Sequence, residues 1–252
     1  MSASHIPISW RGIRGALISI ALLAGSHGAQ AANVNVTVPG TSDMWLAGMP
    51  DGATNGSDSA PAHSPVLVGG LTLIAATPVT FTNATGGVLH TPGCSTSAPF
   101  SGCNPIDGTT FFDHSGGDQN GIAALRAPIN ALLGVFLGPN QPDASPAPAG
   151  LDFQTLGLDF ETLSPELKQP FFVGDGQTAG GSVQQFFVPQ GAARLYLGTM
   201  DGFGWFNNTG AINVTVSAVP EPESALLWLA GIGALAAACR RSRRRALRGG
   251  GS

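Results

Sequence analysis

Two short strings near opposite ends of the chain, Asn33–Val38 (NVNVTV) and Ile212–Val216 (INVTV), alternate apolar and polar residues. Period two is the side-chain period of a strand with one buried face, so Val34, Val36 and Val38 share one face and Asn33, Asn35 and Thr37 the other. Similar strands at both ends of a domain are expected where first and last strands are neighbours, as in jelly rolls. Further strands are expected over 65–74, 79–83, 121–127, 130–137, 183–188 and 193–197, separated by Gly- and Pro-containing turns. That arrangement suits a sandwich or a barrel. The one helix-like stretch, Glu161–Lys168, is limited to about two turns by Pro165. Gly138–Gly150, with four prolines, and Asp51–His63 read as exposed polar loops. The expectation is an all-β fold, a single jelly-roll-like β-sandwich with long loops over 33–218.

Charge narrows the partners. Charged residues make up 10% of the 252 residues, against about 25% in an average soluble domain. Between 33 and 218 only Arg126, Lys168 and Arg194 are basic, against thirteen acids. Such a surface repels phosphate backbones, which argues against nucleic acid as a partner. Most of the remaining basic residues crowd Arg240–Arg248.

The ends read as addresses. Residues 1–32 have the layout of a secretory signal peptide: Arg11 and Arg14, an apolar Gly15–Ala24, then Ala29 and Ala31 before a cleavage point. An uncleaved anchor is the alternative, but Gly15–Ala24 is short for a bilayer. Ser224–Cys239 (SALLWLAGIGALAAAC) is long enough for a short transmembrane helix of about 24 Å. The arginines after it place its C-terminal side in the cytoplasm. Val219-Pro220-Glu221-Pro222, the apolar helix and the Arg block together resemble the PEP-CTERM sorting signal of exported proteins in Gram-negative bacteria. The resemblance implies a sorting signal over 219–245, a short tail over 246–252, and an exosortase, a membrane transpeptidase, as processing partner. It also implies anchorage in the inner membrane before processing, and then a place at the cell surface or in an exopolysaccharide (biofilm) matrix.

Cys94 and Cys103 enclose eight residues (STSAPFSG) in the exported part. Outside the cytoplasm that spacing predicts a disulfide. A metal site needs more ligands than this loop offers. Cys239, at the cytoplasmic membrane edge, is expected to stay reduced.

The strongest chemical signal is Gly198–Gly210 (GTMDGFGWFNNTG). Asp201, Asn207 and Asn208 offer hard oxygen ligands, and glycines let a carbonyl near Trp205 turn inward, as Ca²⁺ requires. The alternative is a plain turn, for which Asp-Gly and Asn-Asn are common dipeptides. Phe203, Trp205 and Phe206 offer a flat apolar platform for a sugar ring, or else plug the end of the sandwich. Residues 186–216 resemble the C-terminal half of the calcium-dependent bacterial galactophilic lectins. The resemblance implies Ca²⁺ held by Asp201, Asn207, Asn208 and the Trp205 carbonyl, with another carbonyl near His90. It implies a galactose-like saccharide contacted by His114, Gln119 and Asn207. Segments 93–110 and 138–182 have no counterpart in those lectins.

Catalytic motifs are missing from the sequence: there is no G-x-S-x-G elbow, H-E-x-x-H or Walker loop. Asp159 and Glu161, two apart on a strand, point to opposite faces, unlike paired glycosidase carboxyls. The expected function is therefore non-enzymatic: an exosortase-sorted surface or matrix protein that binds saccharide through calcium. The alternative is a structural matrix protein with no specific ligand.

Overall fold

The computed structural model describes residues 32–218. The leader up to Ala31, Val219–Pro222, the apolar segment 224–239 and the residues after it lie outside that range. Among the described residues no helix is long and apolar enough to cross a membrane.

The regular structure of the described residues is almost all strand: β1 (Ala32–Pro39), β2 (Thr54–Asn55), β3 (Asp58–Ser59), β4 (Val66–Leu67), β5 (Pro78–Leu89), β6 (Phe111–Asp113), β7 (Leu125–Pro128), β8 (Leu132–Leu137), β9 (Leu151–Asp152), β10 (Thr162–Leu163), β11 (Phe171–Phe172), β12 (Gln185–Phe187), β13 (Arg194–Thr199) and β14 (Thr209–Ala218). One sheet has the order β1-β14-β5-β12-β10 and a second β11-β8-β13-β4. The two alternating strings pair antiparallel along their length, with Val34 opposite Val216 and Val38 opposite Ile212. Val36, Val38, Ile212, Val214 and Val216 enter the same core as Leu133, Val135, Leu195 and Leu197 of the second sheet. On the outer face, Thr37 donates to Asn213 and Ser217 to Asn33, so the polar half of the alternation is satisfied across the pair.

Several expectations shift. The segment 65–74 pairs only over Val66–Leu67, because Gly69-Gly70 follows and Gly70 takes a φ of 80°. Glu161–Lys168 forms no helix: Thr162–Leu163 pairs parallel with β12 instead. Pro165 lacks an N–H and disfavours helical backbone at Ser164. Among the described residues the single α-turn is α1 (Phe153–Leu156), capped by Asp152 through the Gln154 amide at 2.9 Å.

Segment 138–182 builds core rather than decorating it. Phe153 and Phe171 are fully buried, and the Phe171 ring lies 5.2 Å from Phe186 and 5.4 Å from Phe136. Segment 93–110 is fastened by the Cys94–Cys103 disulfide and by the Asn104 amide on the Val88 carbonyl at 3.0 Å. A Cβ at Gly87 would stand 2.3 Å from the Asn104 carbonyl oxygen, so only glycine permits that approach.

Candidate functional site

The loop after β13 begins at Asp201, which is 5% exposed. Backbone bonds from Asn130 to Met200 (2.8 Å) and from Met200 to Ala131 (2.9 Å) hold it beside the β7–β8 junction. One carboxylate oxygen, Oδ1, accepts the Gly202 amide at 2.6 Å. The other, Oδ2, is buried with no partner among the described residues. Burial pushes this carboxyl up, while the nearby Asn208 side chain, the Gly202 and Phe203 amides and the field of His90 act in the opposite direction.

Gly204, at φ 79°, starts a 3₁₀ turn over Trp205–Asn207. The turn is pinned from a distant hairpin: the Trp205 amide donates to Asp58 Oδ2 at 3.0 Å and the Phe206 amide to Asp58 Oδ1 at 2.7 Å. Asp58 is fully buried. The Trp205 indole donates to the Thr199 carbonyl at 2.9 Å, which sinks the ring into the core. Asn208 follows, 5% exposed; its Nδ2 reaches the Gly40 carbonyl at 3.2 Å and its Oδ1 has no partner.

The expected residues are therefore sorted. Asp201 and Asn208 come together, each with one unpartnered buried oxygen. Asn207 stands on the surface. The Trp205 carbonyl accepts the Asn208 amide at 3.0 Å, closing the turn, and keeps a second lone pair. The Trp205 ring is fully buried in the core, whereas Phe203 and Phe206 are 76% and 53% exposed. His90 approaches through its ring, with Nδ1 lying 3.1 Å from Asn130 Nδ2.

His114, expected to face a sugar, is instead 5% exposed and stacked on Trp45 at 3.5 Å. Its Nδ1 lies 2.8 Å from the Gly117 carbonyl. A carbonyl only accepts, so the proton sits on Nδ1. Gln119 shares this tight loop: a Cβ at Gly116 would meet both Gln119 Oε1 and His114 Cε1. The loop docks on the Asp201 loop, with the Ser115 amide and hydroxyl on the Gly202 carbonyl at 3.0 and 2.8 Å.

Burial pushes the His114 ring down to about 4. The unfolded ring titrates near 6.5, so an unfolded chain takes up a proton that the folded one refuses. Stability is then complete above about pH 7 and declines by about 3 kcal/mol as pH falls to about 4. Asp43 acts in the opposite sense. Burial, with Asp58 and Asp201 nearby, raises it to about 7, so it favours folding at low pH and loses that contribution as pH rises toward 7. Subtracting the unfolding profile of His114→Phe from that of the native chain isolates the histidine. A difference that stays flat from pH 7 to 4 would show that the ring is not sealed from water.

The residues that sequence reading missed are Asp43, Asn55 and Asp58. Asp43 is buried, accepting the Trp45 amide at 2.9 Å and Asn55 Nδ2 at 2.6 Å. The supposed polar loop 51–63 is in fact the β2–β3 hairpin whose Asp58 holds the Asp201 loop. Gly56-Ser57, the two-residue turn between the strands with Gly56 at φ 57°, was the available signal for that hairpin. Three buried carboxylates thus gather at one end, while the basic side chains are engaged elsewhere. Arg126 pairs with Asp113, and Lys168 and Arg194 donate to loop carbonyls at Ser145 and Gly138. Among the described residues no group of three His, Cys, Asp or Glu is close enough to hold a metal ion. A cation here must take amide or carbonyl oxygens, the hard ligands suited to Ca²⁺.

Residues 218–245 match the PEP-CTERM protein-sorting motif. No curated protein matches the chain, and no solved structure does. The chain carries a PEP-CTERM sorting motif, which marks it as an exported protein anchored by its C-terminus until an exosortase processes it.

Proposed function

We propose that the exported domain is a jelly-roll-like sandwich that binds Ca²⁺ at the Asp201 loop and, through it, a saccharide of the extracellular matrix. The observation that carries this reading is the pair of buried, unpartnered oxygens, Asp201 Oδ2 and Asn208 Oδ1. Leaving a buried acceptor unpaired costs about 1–3 kcal/mol, more for a charged one, and a bound cation removes that penalty. No basic side chain is within salt-bridge reach of Asp201 among the described residues. Asp201 and Asn208 would hold the ion and supply it with one negative charge. The saccharide would meet Asn207 and Gln119 at the rim and rest its apolar face on Phe203 and Phe206, both exposed beside the loop. The role is binding rather than catalysis, at the cell surface or in the matrix to which the sorting motif gives access.

The test is the thermal midpoint of the full chain in detergent, in EDTA and then in Ca²⁺. At 100 times the dissociation constant the ion stabilises by about 2.7 kcal/mol, a rise of about 5–10 °C. Asp201→Ala and the milder Asp201→Asn should both abolish the rise, and a sugar panel then follows on the calcium-loaded chain. An unchanged native midpoint would favour the other reading, a structural matrix protein in which this loop is only a turn.

A further inference from the structure

We propose that Asn130 is a further oxygen ligand of this cation site, supplied from the β7–β8 junction. The inference rests on the cation reading of the Asp201 loop and goes beyond its ligand set, since Asn130 lies outside the 198–210 segment. Asn130 is completely buried, and its Oδ1 has no partner among the described residues. Its backbone sits at φ 71°, a left-handed conformation that asparagine tolerates better than most residues. The amide of the same residue bonds the Met200 carbonyl at 2.8 Å, which fixes it next to Asp201.

The side chain is oriented from the other side. Asn130 Nδ2 lies 3.1 Å from His90 Nδ1, which accepts from it when the ring proton is on Nε2. The carboxamide oxygen is thereby turned away from His90. Reversing the amide gives no relief: Oδ1 would then take a proton from His90, and Nδ2 would be the buried atom left without a partner. A cation resolves the frustration in one orientation only, with oxygen toward the metal and nitrogen toward His90. Asn130 Oδ1, Asp201 Oδ2 and Asn208 Oδ1 are three of the four buried side-chain atoms without a partner among the described residues. Backbone bonding between Asn130 and Met200 sets Asn130 next to Asp201, and the Asn208 side chain lies close enough to Asp201 to act on its carboxyl. His90 is a positioning residue in this scheme.

The test uses the full chain in detergent and two metals, Ca²⁺ by calorimetry and Tb³⁺ by luminescence. Lifetimes in H₂O and D₂O count the water molecules bound to Tb³⁺. Asn130→Gly is the informative variant, because glycine accepts the positive φ without strain and so preserves the backbone. The expected result is about a tenfold loss of Ca²⁺ affinity and one additional water on Tb³⁺, with an unchanged far-ultraviolet spectrum. Asn130→Asp, which restores an oxygen, should recover or exceed native affinity. If Asn130→Gly binds Ca²⁺ with native affinity and an unchanged water count while Asp201→Ala binds none, Asn130 is not a ligand and the Asp201 site stands. If the native chain binds neither metal, the site reading itself falls, and this inference with it.

Discussion

Replacing Trp45 by alanine is expected to cost about 4 kcal/mol of folding stability. Trp45 is fully buried in the 3₁₀ turn Met44–Leu46, and three separate segments rest on it. Its indole donates to the Ala123 carbonyl at 3.1 Å, its face stacks on His114 at 3.5 Å, and the Trp205 ring lies 5.6 Å away. The Asn120 side chain also reaches its carbonyl at 3.0 Å. Truncation therefore removes a large apolar volume and the floor under both the His114 loop and the Asp201 loop. For a domain of this size the loss corresponds to a drop in thermal midpoint of about 8–16 °C. Trp45→Phe keeps the stack but not the donor and should lose less than half as much. Urea unfolding of the three proteins decides it. A loss below about 1 kcal/mol for Trp45→Ala would mean that the loops do not depend on this ring.

Asp58→Ala is expected to cost about 3 kcal/mol, through hydrogen bonds rather than volume. The carboxylate accepts two successive amides, those of Trp205 and Phe206, and each one left unpaired in a buried setting costs about 1–3 kcal/mol. Removing one of three neighbouring acids relieves some repulsion on Asp43, which offsets part of the loss. Asp58→Asn is an informative control, because an amide presents one acceptor oxygen where the turn needs two. It should recover only part of the stability. Amide hydrogen exchange at Trp205 and Phe206 gives the local readout and should accelerate in both variants. Asn208 follows directly on this turn, so affinity at the proposed cation site should fall in step. Protection at those two amides that survives in Asp58→Ala would show that another group holds the turn.

Much of the fold was legible because it is written locally. The period-two strings at 33–38 and 212–216 announced both the strands and their pairing, and the register joins them valine to valine. The uninterrupted apolar run of β8 was legible as a strand, although every one of its residues is buried. The short helix was misplaced, because the sequence of 161–168 suits a helix until Pro165 and parallel pairing with β12 are weighed. Gly138–Gly150 was legible as loop because its prolines are obvious, while the burial of Phe153 and Phe171 beyond it depends on partners elsewhere in the chain.

The site divides along the same line. Asp201 and Asn208 were visible because an acid and an amide in a glycine-rich stretch form a local pattern. Asp58 was not, because it meets the Trp205 amide across 147 residues of chain. Asn130 likewise carries no signal until strand pairing sets it beside Asp201, and His90, expected through a carbonyl, meets Asn130 through its ring. By itself the sequence determined the address, written in the motif over 218–245, and the alternation that makes the exported part a β protein. The tertiary structure alone decided which histidine is sealed against a tryptophan, which carbonyl closes a turn, and which buried oxygens are left unpaired. Periodicity is a property of neighbours along the chain. Desolvation and hydrogen-bond satisfaction are properties of neighbours in space, and those exist only once the sheets have closed.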